Sequence, residues 1–465
     1  MIHDQKMATA IIGMGKTGKA VASFLMRRGI ACEAFDESPV NLPEGMDIVL
    51  HTGSLDAELL KGFARLVVSP GINWQHPAMV QVRAEGVPVF GDLELFREAY
   101  HGDLIAITGT NGKTTTVSLI STMLDILSGG IEAGGNIGVP MLELLGDSDA
   151  QHPDPQRIVL ELSSFQLERA NPIHPQWAVL LNVQPDHADM HADMDTYKAA
   201  KLRMFANQTE GDKAMLPADA CWNALADELR GRGVYVRRFG IDNADGKGTD
   251  VQRTGGLDAG LSLQPNGSWQ VFWHHYEVVY TVSSDELLAQ GQHQHLNLAC
   301  AAQAAADFGI SASVIRQSLT SFRGLPHRLQ SLGPIAGREW YNDSKATNPD
   351  AAKAALESFH QVVWICGGLR KGLDISVLKD AVADHVEHML VIGTDMKPFM
   401  GLAAVAGVQA TFVKTVEQAV KQAVQMASGA PVLLSPAAAS QDQFKDYIER
   451  GNAFITAVNC LEQNS

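Results

Sequence analysis

The sequence is poor in cysteine: Cys32, Cys221, Cys300, Cys366 and Cys460 are far apart among 465 residues and form no Cys-x-x-Cys pair. Neither a disulfide framework nor a zinc knuckle is expected, and a reducing compartment, the cytoplasm, fits best. Positive charge is also scarce. Lys and Arg number 36 against 52 Asp and Glu, a net charge of −16, which excludes a general nucleic-acid binder, because phosphate backbones need a basic face. Any anionic ligand must be held by local groups. No apolar run approaches the ~18 residues of a membrane span. The first apolar segment is broken by glycines from Gly13 onward, unlike a signal peptide, so neither membrane insertion nor export is expected. Self-similarity at a period of roughly 20–50 residues is missing too, which excludes a repeat array.

What is present is a globular composition. With 46% hydrophobic and 19% charged residues and a mean hydropathy of −0.03, the chain can bury sizeable cores. At ~100–200 residues per domain the length predicts about three domains. Strand-length apolar runs alternate with helical stretches throughout, predicting α/β units with parallel sheets. The strands are expected at Ala8–Ile12, Leu66–Val68, Leu104–Ile107, Ile158–Leu160, Ala178–Leu181, Val362–Ile365, Met389–Ile392 and Val432–Leu434. Helices are expected at Lys16–Arg28, Thr114–Leu127 and, rich in alanine, Leu298–Phe308. Boundaries are expected just after Gly91-Asp92, where a helical pattern ends near Gly102, and near Gly324-Leu325-Pro326, giving domains 1–97, 98–324 and 325–465. The stretch Ile241–Tyr280, polar and then alternating around Trp269-Gln270-Val271-Phe272-Trp273, reads as an antiparallel flap inserted in the middle domain.

Two glycine-rich loops carry chemistry. Gly13-Met14-Gly15-Lys16-Thr17-Gly18 fits G-x-G-x-x-G between a strand and a helix, and Asp36 ends the next strand-like run. Backbone N–H groups at such a helix start hold a pyrophosphate, and the acid holds a ribose. Nothing in the turn recognises nicotinamide, so an oxidoreductase and any other binder of a nucleotide diphosphate both remain open at this point, as does a tight turn without ligand. The second loop, Thr108-Gly109-Thr110-Asn111-Gly112-Lys113-Thr114-Thr115, is chemically a P-loop, although Ile107 stands where the usual first glycine would be. Its glycines let backbone N–H groups approach phosphate, Lys113 reaches the β/γ oxygens, and the Thr114 hydroxyl can ligate Mg²⁺. Glu161, ending the strand Ile158–Leu160, resembles a Walker B acid, and His187 in Pro185-Asp186-His187 ends the next strand. Strand ends are where open α/β sheets build sites. The run Asp186–Asp195 could suggest a metal cluster, although a solvated polar loop is the favoured reading for His191 and Asp193, and the residues alone leave Lys201 an ordinary helix-surface lysine.

These residues resemble the ATP-dependent Mur ligases, amide-forming enzymes of peptidoglycan precursor synthesis that share a central ATPase domain with folylpolyglutamate synthetase. The resemblance spans nearly the whole chain. Glu161-Leu162-Ser163-Ser164-Phe165-Gln166-Leu167 and Asn342-Asp343-Ser344-Lys345-Ala346-Thr347-Asn348 look like the D-glutamate-adding branch. So do Gly134-Gly135-Asn136-Ile137-Gly138, Gly324-Leu325-Pro326-His327-Arg328 and Ser435–Phe444. The resemblance implies an α/β protein of three domains: N-terminal Rossmann-like for a UDP-precursor, central P-loop ATPase-type, and C-terminal Rossmann-like for the amino acid.

The implied reaction is ATP-dependent joining of D-glutamate to UDP-N-acetylmuramoyl-L-alanine through an acyl phosphate, releasing ADP and phosphate. By the same resemblance, Gly15, Lys16, Thr17, Asp36, Ser69, Asn136 and His187 face the UDP-precursor. ATP falls to Gly109, Thr110, Asn111, Gly112, Lys113, Thr114, Thr115, Gln294, Asn297, Arg328 and Asp343, with Gln294 standing where relatives carry Asn. D-Glutamate falls to Lys345, Thr347, Lys371, Ser440 and Tyr447. Two Mg²⁺ sites are implied at Thr114, Glu161, His187 and Lys201, the last as an N-carboxylated lysine, and the catalytic set is Lys113, Glu161, His187 and Lys201. A cytoplasmic monomer without nucleic-acid or membrane partners is expected. The alternatives are a related ligase with another amino acid, and an oxidoreductase using the first loop, which would leave the P-loop and third domain unexplained.

Overall fold

The computed structural model describes residues 8–126, 131–136, 138–147, 153–184, 193–242, 257–264, 268–275, 278–289, 291–370 and 372–462. It contains three sheets. Each expected strand is found, as Thr9–Ile12, Arg65–Val68, Asp103–Thr108, Arg157–Glu161, Trp177–Leu180, Val362–Gly367, Val386–Ile392 and Val432–Leu434. Two compact units are distinguished. One comprises Met1–Pro265, Val271–Thr281 and Asn297–Ile315; the other comprises Asn266–Gln270, Val282–Leu296 and Arg316–Ser465.

The first sheet has five parallel strands in the order Val49–Thr52, Cys32–Asp36, Thr9–Ile12, Arg65–Val68, Val89–Phe90. Thr9–Ile12 is buried throughout, as a parallel strand covered on both faces must be. The order reverses between that strand and Arg65–Val68, and such a switch point opens a crevice beyond the strand ends. The helix Lys16–Arg27 follows, burying Val21, Ala22, Phe24 and Leu25. Gly18 sits where a Cβ would lie 1.9 Å from the Gly13 carbonyl oxygen, so only glycine lets the helix approach the strand.

The central sheet has nine strands, with Asp103–Thr108 flanked by Arg157–Glu161 and Trp177–Leu180. Its register sets Ile107 opposite Glu161, which places the acid at the mouth of the P-loop. One hydrophobic core joins this sheet to the first: Phe24 and Leu25 share a cluster with Phe96, Tyr100, Met141, Leu142 and Leu160. Arg27 adds hydrogen bonds to the carbonyls of Leu142 and Leu145, both at 3.3 Å. The first two sheets therefore pack within one unit. The stretch expected as an inserted antiparallel flap extends the sheet instead. Ala259–Leu263 pairs in parallel with Tyr235–Asp242, and Trp269–His275 and Val278–Ser283 follow outward in the same sheet.

The alanine-rich helix begins at Gln292, ahead of its expected start, and runs to Asp307; its polar first turns were invisible to a search for apolar residues. Its far end is anchored by Asp307, which accepts hydrogen bonds from Arg237 at 2.8 Å and Gln303 at 3.2 Å. In the second unit the third sheet runs Gln330–Ile335, Arg338–Asn342, Val432–Leu434, Val362–Gly367, Val386–Ile392, Gln409–Lys414. Its first pair is antiparallel and the rest parallel. Among the described residues no helix is long and apolar enough to cross a membrane.

Candidate active site

Gly112 precedes the helix Lys113–Leu124 with φ +86°, and a Cβ there would meet Asn297 Oδ1 at 2.3 Å. Glycine thus serves both the left-handed turn and the close approach of Asn297 to the P-loop. Asn182, at the end of the strand Trp177–Leu180, locks the loop from the other side: its Oδ1 accepts from the backbone N–H groups of Thr110 and Asn111 at 3.0 and 2.9 Å. Lys113 Nζ donates to the carbonyls of Gly109 and Thr110, both at 2.8 Å. Thr115 is buried in the helix.

The Thr114 hydroxyl donates to Glu161 Oε2 at 2.7 Å. Asn136 Nδ2 donates to Glu161 Oε1 at 3.2 Å. Hydroxyl and carboxylate oxygens so placed beside a P-loop are the hard donors that Mg²⁺ takes, and these two residues fit that ion. Lys201 is 1% exposed. Its Nζ donates to the same Gly109 carbonyl at 3.0 Å and lies 4.4 Å from the Tyr197 ring centroid, while Tyr197 Oη is 3.1 Å from Thr110 Oγ1. The lysine that read as surface is therefore wholly buried at the phosphate loop. Lys113 and Lys201 thus share the Gly109 carbonyl as acceptor. His187 and Lys371 lie outside the described residues.

A cavity of about 380 Å³ lies at the first loop, lined among others by Gly13, Gly15, Lys16, Thr17, Asp36, Ser69, Asn136 and Gln166. Lys16 Nζ, in that lining, donates to the Gly138 carbonyl. Asp36 does more for the loop than its expected contact with a ribose suggests: its oxygens accept from the N–H groups of Met14 at 2.7 Å and Ser38 at 2.9 Å. Ser69 Oγ donates to the Gly13 carbonyl at 2.7 Å. Asn136 joins the two glycine loops, lining the cavity and touching Glu161.

In the second unit, Asp343 Oδ2 accepts from Ser435 Oγ at 2.8 Å and Oδ1 from Leu329 N–H at 3.1 Å. Burial pushes its carboxyl up to about 7, against the Ser435 and Leu329 bonds and the nearby Arg328 charge, which favour ionisation. Lys345 Nζ lies 5.4 Å from the Tyr447 ring centroid, and Thr347 N–H donates to the Lys345 carbonyl at 2.8 Å. The loop bearing them is bonded to the loop bearing Ser440, since Ala437 N–H donates to the Ala346 carbonyl at 3.0 Å. Beneath both, the buried Arg450 donates to Ser344 Oγ at 3.0 Å, the Ser344 carbonyl at 2.9 Å and the Ala438 carbonyl at 3.1 Å. Ser440 Oγ and Gln294 Oε1 are among the buried polar atoms of the described residues that have no hydrogen-bond partner, and each is suited to a polar ligand.

The Asp343 shift gives a pH test. Its folded carboxyl titrates near 7 rather than 3.8, so the folded chain retains a proton that the unfolded chain releases, and stability is lost as pH rises through that window. Asp343→Asn keeps the shape without the charge. Thermal unfolding without nucleotide should show it more stable than the parent near pH 8, with the gain fading toward about pH 4; a constant difference would contradict this.

The sequence-only reading missed Asn182, Tyr197 and Arg450. Asn182 was accessible to it, since it ends a strand beside Glu161's neighbour. The other two sit on helices, where nothing local marks them.

The comparisons with known proteins identify the family. Residues 7–91 match the model of the Mur ligase MurD-like N-terminal domain, 107–305 the Mur ligase middle domain and 327–438 the Mur ligase glutamate ligase domain. A UDP-N-acetylmuramoylalanine–D-glutamate ligase from Exiguobacterium sibiricum is 35% identical, covering 98% of this chain and 97% of its own. The chain belongs to the Mur ligase family. A second relative of this Mur ligase, bearing the same name and found in Koribacter versatilis, is 36% identical over 97% of both chains. Among solved structures, the UDP-N-acetylmuramate-alanine ligase MurC of Thermotoga maritima superposes with a TM-score of 0.57 at 18% identity, covering 98% of this chain and 99% of that one. A MurF ligase from Thermotoga maritima in complex with ADP gives 0.56 at 16% identity, with both chains fully covered. These likenesses establish the three-domain α/β fold of the Mur ligase.

Proposed function

We propose that this Mur ligase joins D-glutamate to UDP-N-acetylmuramoyl-L-alanine with hydrolysis of ATP to ADP and phosphate, in peptidoglycan precursor synthesis. The observation that carries the reading is the connection through Asn136. One residue lines the cavity of the diphosphate-type loop and hydrogen-bonds the acid that receives the P-loop threonine. A precursor held at Gly15, Lys16 and Thr17 would thus present its far end to a nucleotide held at Gly109–Thr115. The relatives that are at least 35% identical over nearly the full chain, and named for D-glutamate, support the choice of amino acid.

The precursor's L-alanine carboxylate attacks the γ-phosphorus of ATP, ADP leaves, and an acyl phosphate results. The amine of D-glutamate adds to its carbonyl carbon; the tetrahedral intermediate expels phosphate and the nitrogen gives up its proton. Two anions must meet in the first step, so neutralisation and alignment are the main tasks. Lys113 supplies a cation at the γ-phosphate, and Asn182, which accepts from the Thr110 and Asn111 N–H groups, fixes the conformation of the loop that carries it. Mg²⁺, held by Thr114 and Glu161 with His187 and Lys201 completing two sites, would neutralise phosphate charge.

Lys201 joins that set once its neutral amine adds to carbon dioxide, forming an N-carboxylate and releasing a proton. The burial of Lys201 against the Gly109 carbonyl of the phosphate loop supports this role. Gln294 and Asn297 serve the adenine side of ATP, Arg328 its phosphates and Asp343 its ribose. D-Glutamate is held by Lys345, Thr347, Lys371, Ser440 and the backbone near Tyr447. The ligands divide among the domains 1–97, 98–324 and 325–465, in a monomer working in the cytoplasm.

Phosphate release should require ATP, Mg²⁺, UDP-N-acetylmuramoyl-L-alanine and D-glutamate together, as a coupled assay would show. Equal release without D-glutamate, or with L-glutamate or meso-diaminopimelate in its place, would sink the assignment.

A further inference from the structure

Arg169 is the C-cap of the short helix Ser164–Glu168 that follows Glu161, and it is 3% exposed. A guanidinium so buried normally meets a carboxylate. Here it is spent on backbone carbonyls of the first sheet's loop. Nη1 donates to Ser69 and Pro70, both at 3.1 Å, and Nη2 donates to Ile72 at 3.2 Å. Those residues, with Gly71, form one wall of the cavity beside the first glycine loop. The guanidinium carbon also lies 5.0 Å from the Trp74 ring centroid, which Arg83 approaches at 4.6 Å. Burial lowers the guanidinium's proton affinity, but an arginine so affected remains charged at neutral pH.

The helix carrying Arg169 is itself tightly set. Ser163 and Gln166 form a reciprocal capping box, Gln166 Nε2 reaches Asp92 Oδ2 at 3.4 Å, and the Arg169 carbonyl accepts from Gly91 N–H at 2.7 Å. A chain of fixed groups therefore runs from Glu161 through the capping box to Arg169, and from there to Ser69, whose hydroxyl holds the Gly13 carbonyl. A guanidinium suits this task because its planar fork can satisfy several carbonyls at once, which a lysine ammonium on a flexible stem cannot do in the same geometry.

We propose that Arg169 is a positioning residue for the UDP-precursor: it fixes the Ser69–Ile72 wall of the cavity to the strand end bearing Glu161, so that the precursor's far end is delivered to the phosphate centre. Arg169 does not line the cavity and acts through the loop. The inference rests on the function proposed above, and parental turnover with UDP-N-acetylmuramoyl-L-alanine is the separate control for that reading.

The test compares Arg169→Lys and Arg169→Gln with the parent, reading KM for each substrate, kcat, and the affinity for UDP alone by calorimetry, with thermal unfolding alongside. Both variants should raise KM for the precursor about tenfold or more and weaken UDP binding, leaving KM for ATP and D-glutamate within about twofold; lysine should recover little. Should Arg169→Gln fail to fold, the lysine variant carries the test. A fall in kcat with every KM unchanged would mark a merely structural residue and overturn the proposal. So would a parallel rise in all three KM values, or full recovery by lysine.

Discussion

Lys113→Ala should abolish ATP-dependent phosphate release while leaving UDP binding largely intact. The ammonium is a protein cation at the phosphate loop, held to the Gly109 and Thr110 carbonyls at 2.8 Å. From there it can swing to a γ-phosphate oxygen without rearrangement of the loop. Removing one preorganised charge from a site where two anions must react costs on the order of 10²–10³-fold or more in turnover. Lys113→Arg should not restore it, because the guanidinium is wider than the ammonium that the loop encloses. Calorimetric titration with UDP separates catalysis from folding, since the first loop is built on a different sheet. Turnover close to the parent's would refute the P-loop assignment, and loss of UDP binding together with turnover would mean misfolding.

Lys201→Ala should be as severely impaired, and added formate or acetate should restore part of its activity. The side chain is 1% exposed and reaches Gly109, so its truncation leaves a space beside the P-loop lined by polar groups. A small carboxylate entering that space would supply the anionic oxygens proposed for the N-carboxylated lysine. An unmodified ammonium could not be replaced by an anion in this way. Activity is expected to rise with carboxylate concentration and saturate, whereas chloride at equal ionic strength should do nothing. Lack of recovery at any concentration would count against the modification, and recovery by chloride would assign the effect to ionic strength.

Periodicity and strand-end chemistry made much of the architecture legible. Buried parallel strands are continuous apolar runs, so Thr9–Ile12 and Val362–Gly367 stood out. Edge and antiparallel strands did not: Val49–Thr52, Gln330–Ile335 and Gln409–Lys414 carry partly exposed residues, which blur the apolar run. The stretch around Trp269–Trp273 alternated as a strand should, yet alternation cannot say which neighbour a strand joins. The early start of the helix Gln292–Asp307 escaped for a related reason, because Gln292, His293 and Gln294 give no apolar signal.

The same division applies to the site. Gly109–Thr115 and Gly13–Gly18 are local designs, in which strand, turn and helix are consecutive and the ligand groups are backbone amides. Spacing alone therefore revealed them, and Glu161 followed because a Walker-type acid ends a strand. The scarcity of cysteine and basic residues likewise bounded the chemistry without a fold. Only the tertiary structure decided that Lys201 is buried against Gly109, that Asn136 joins the two loops, and that Arg169 braces the Ser69–Ile72 wall across about 100 positions of sequence. Those contacts depend on how sheets and helices pack, which for any single residue is set by chain far away. A lysine on a helix has the same local sequence signal whether it faces water or phosphate.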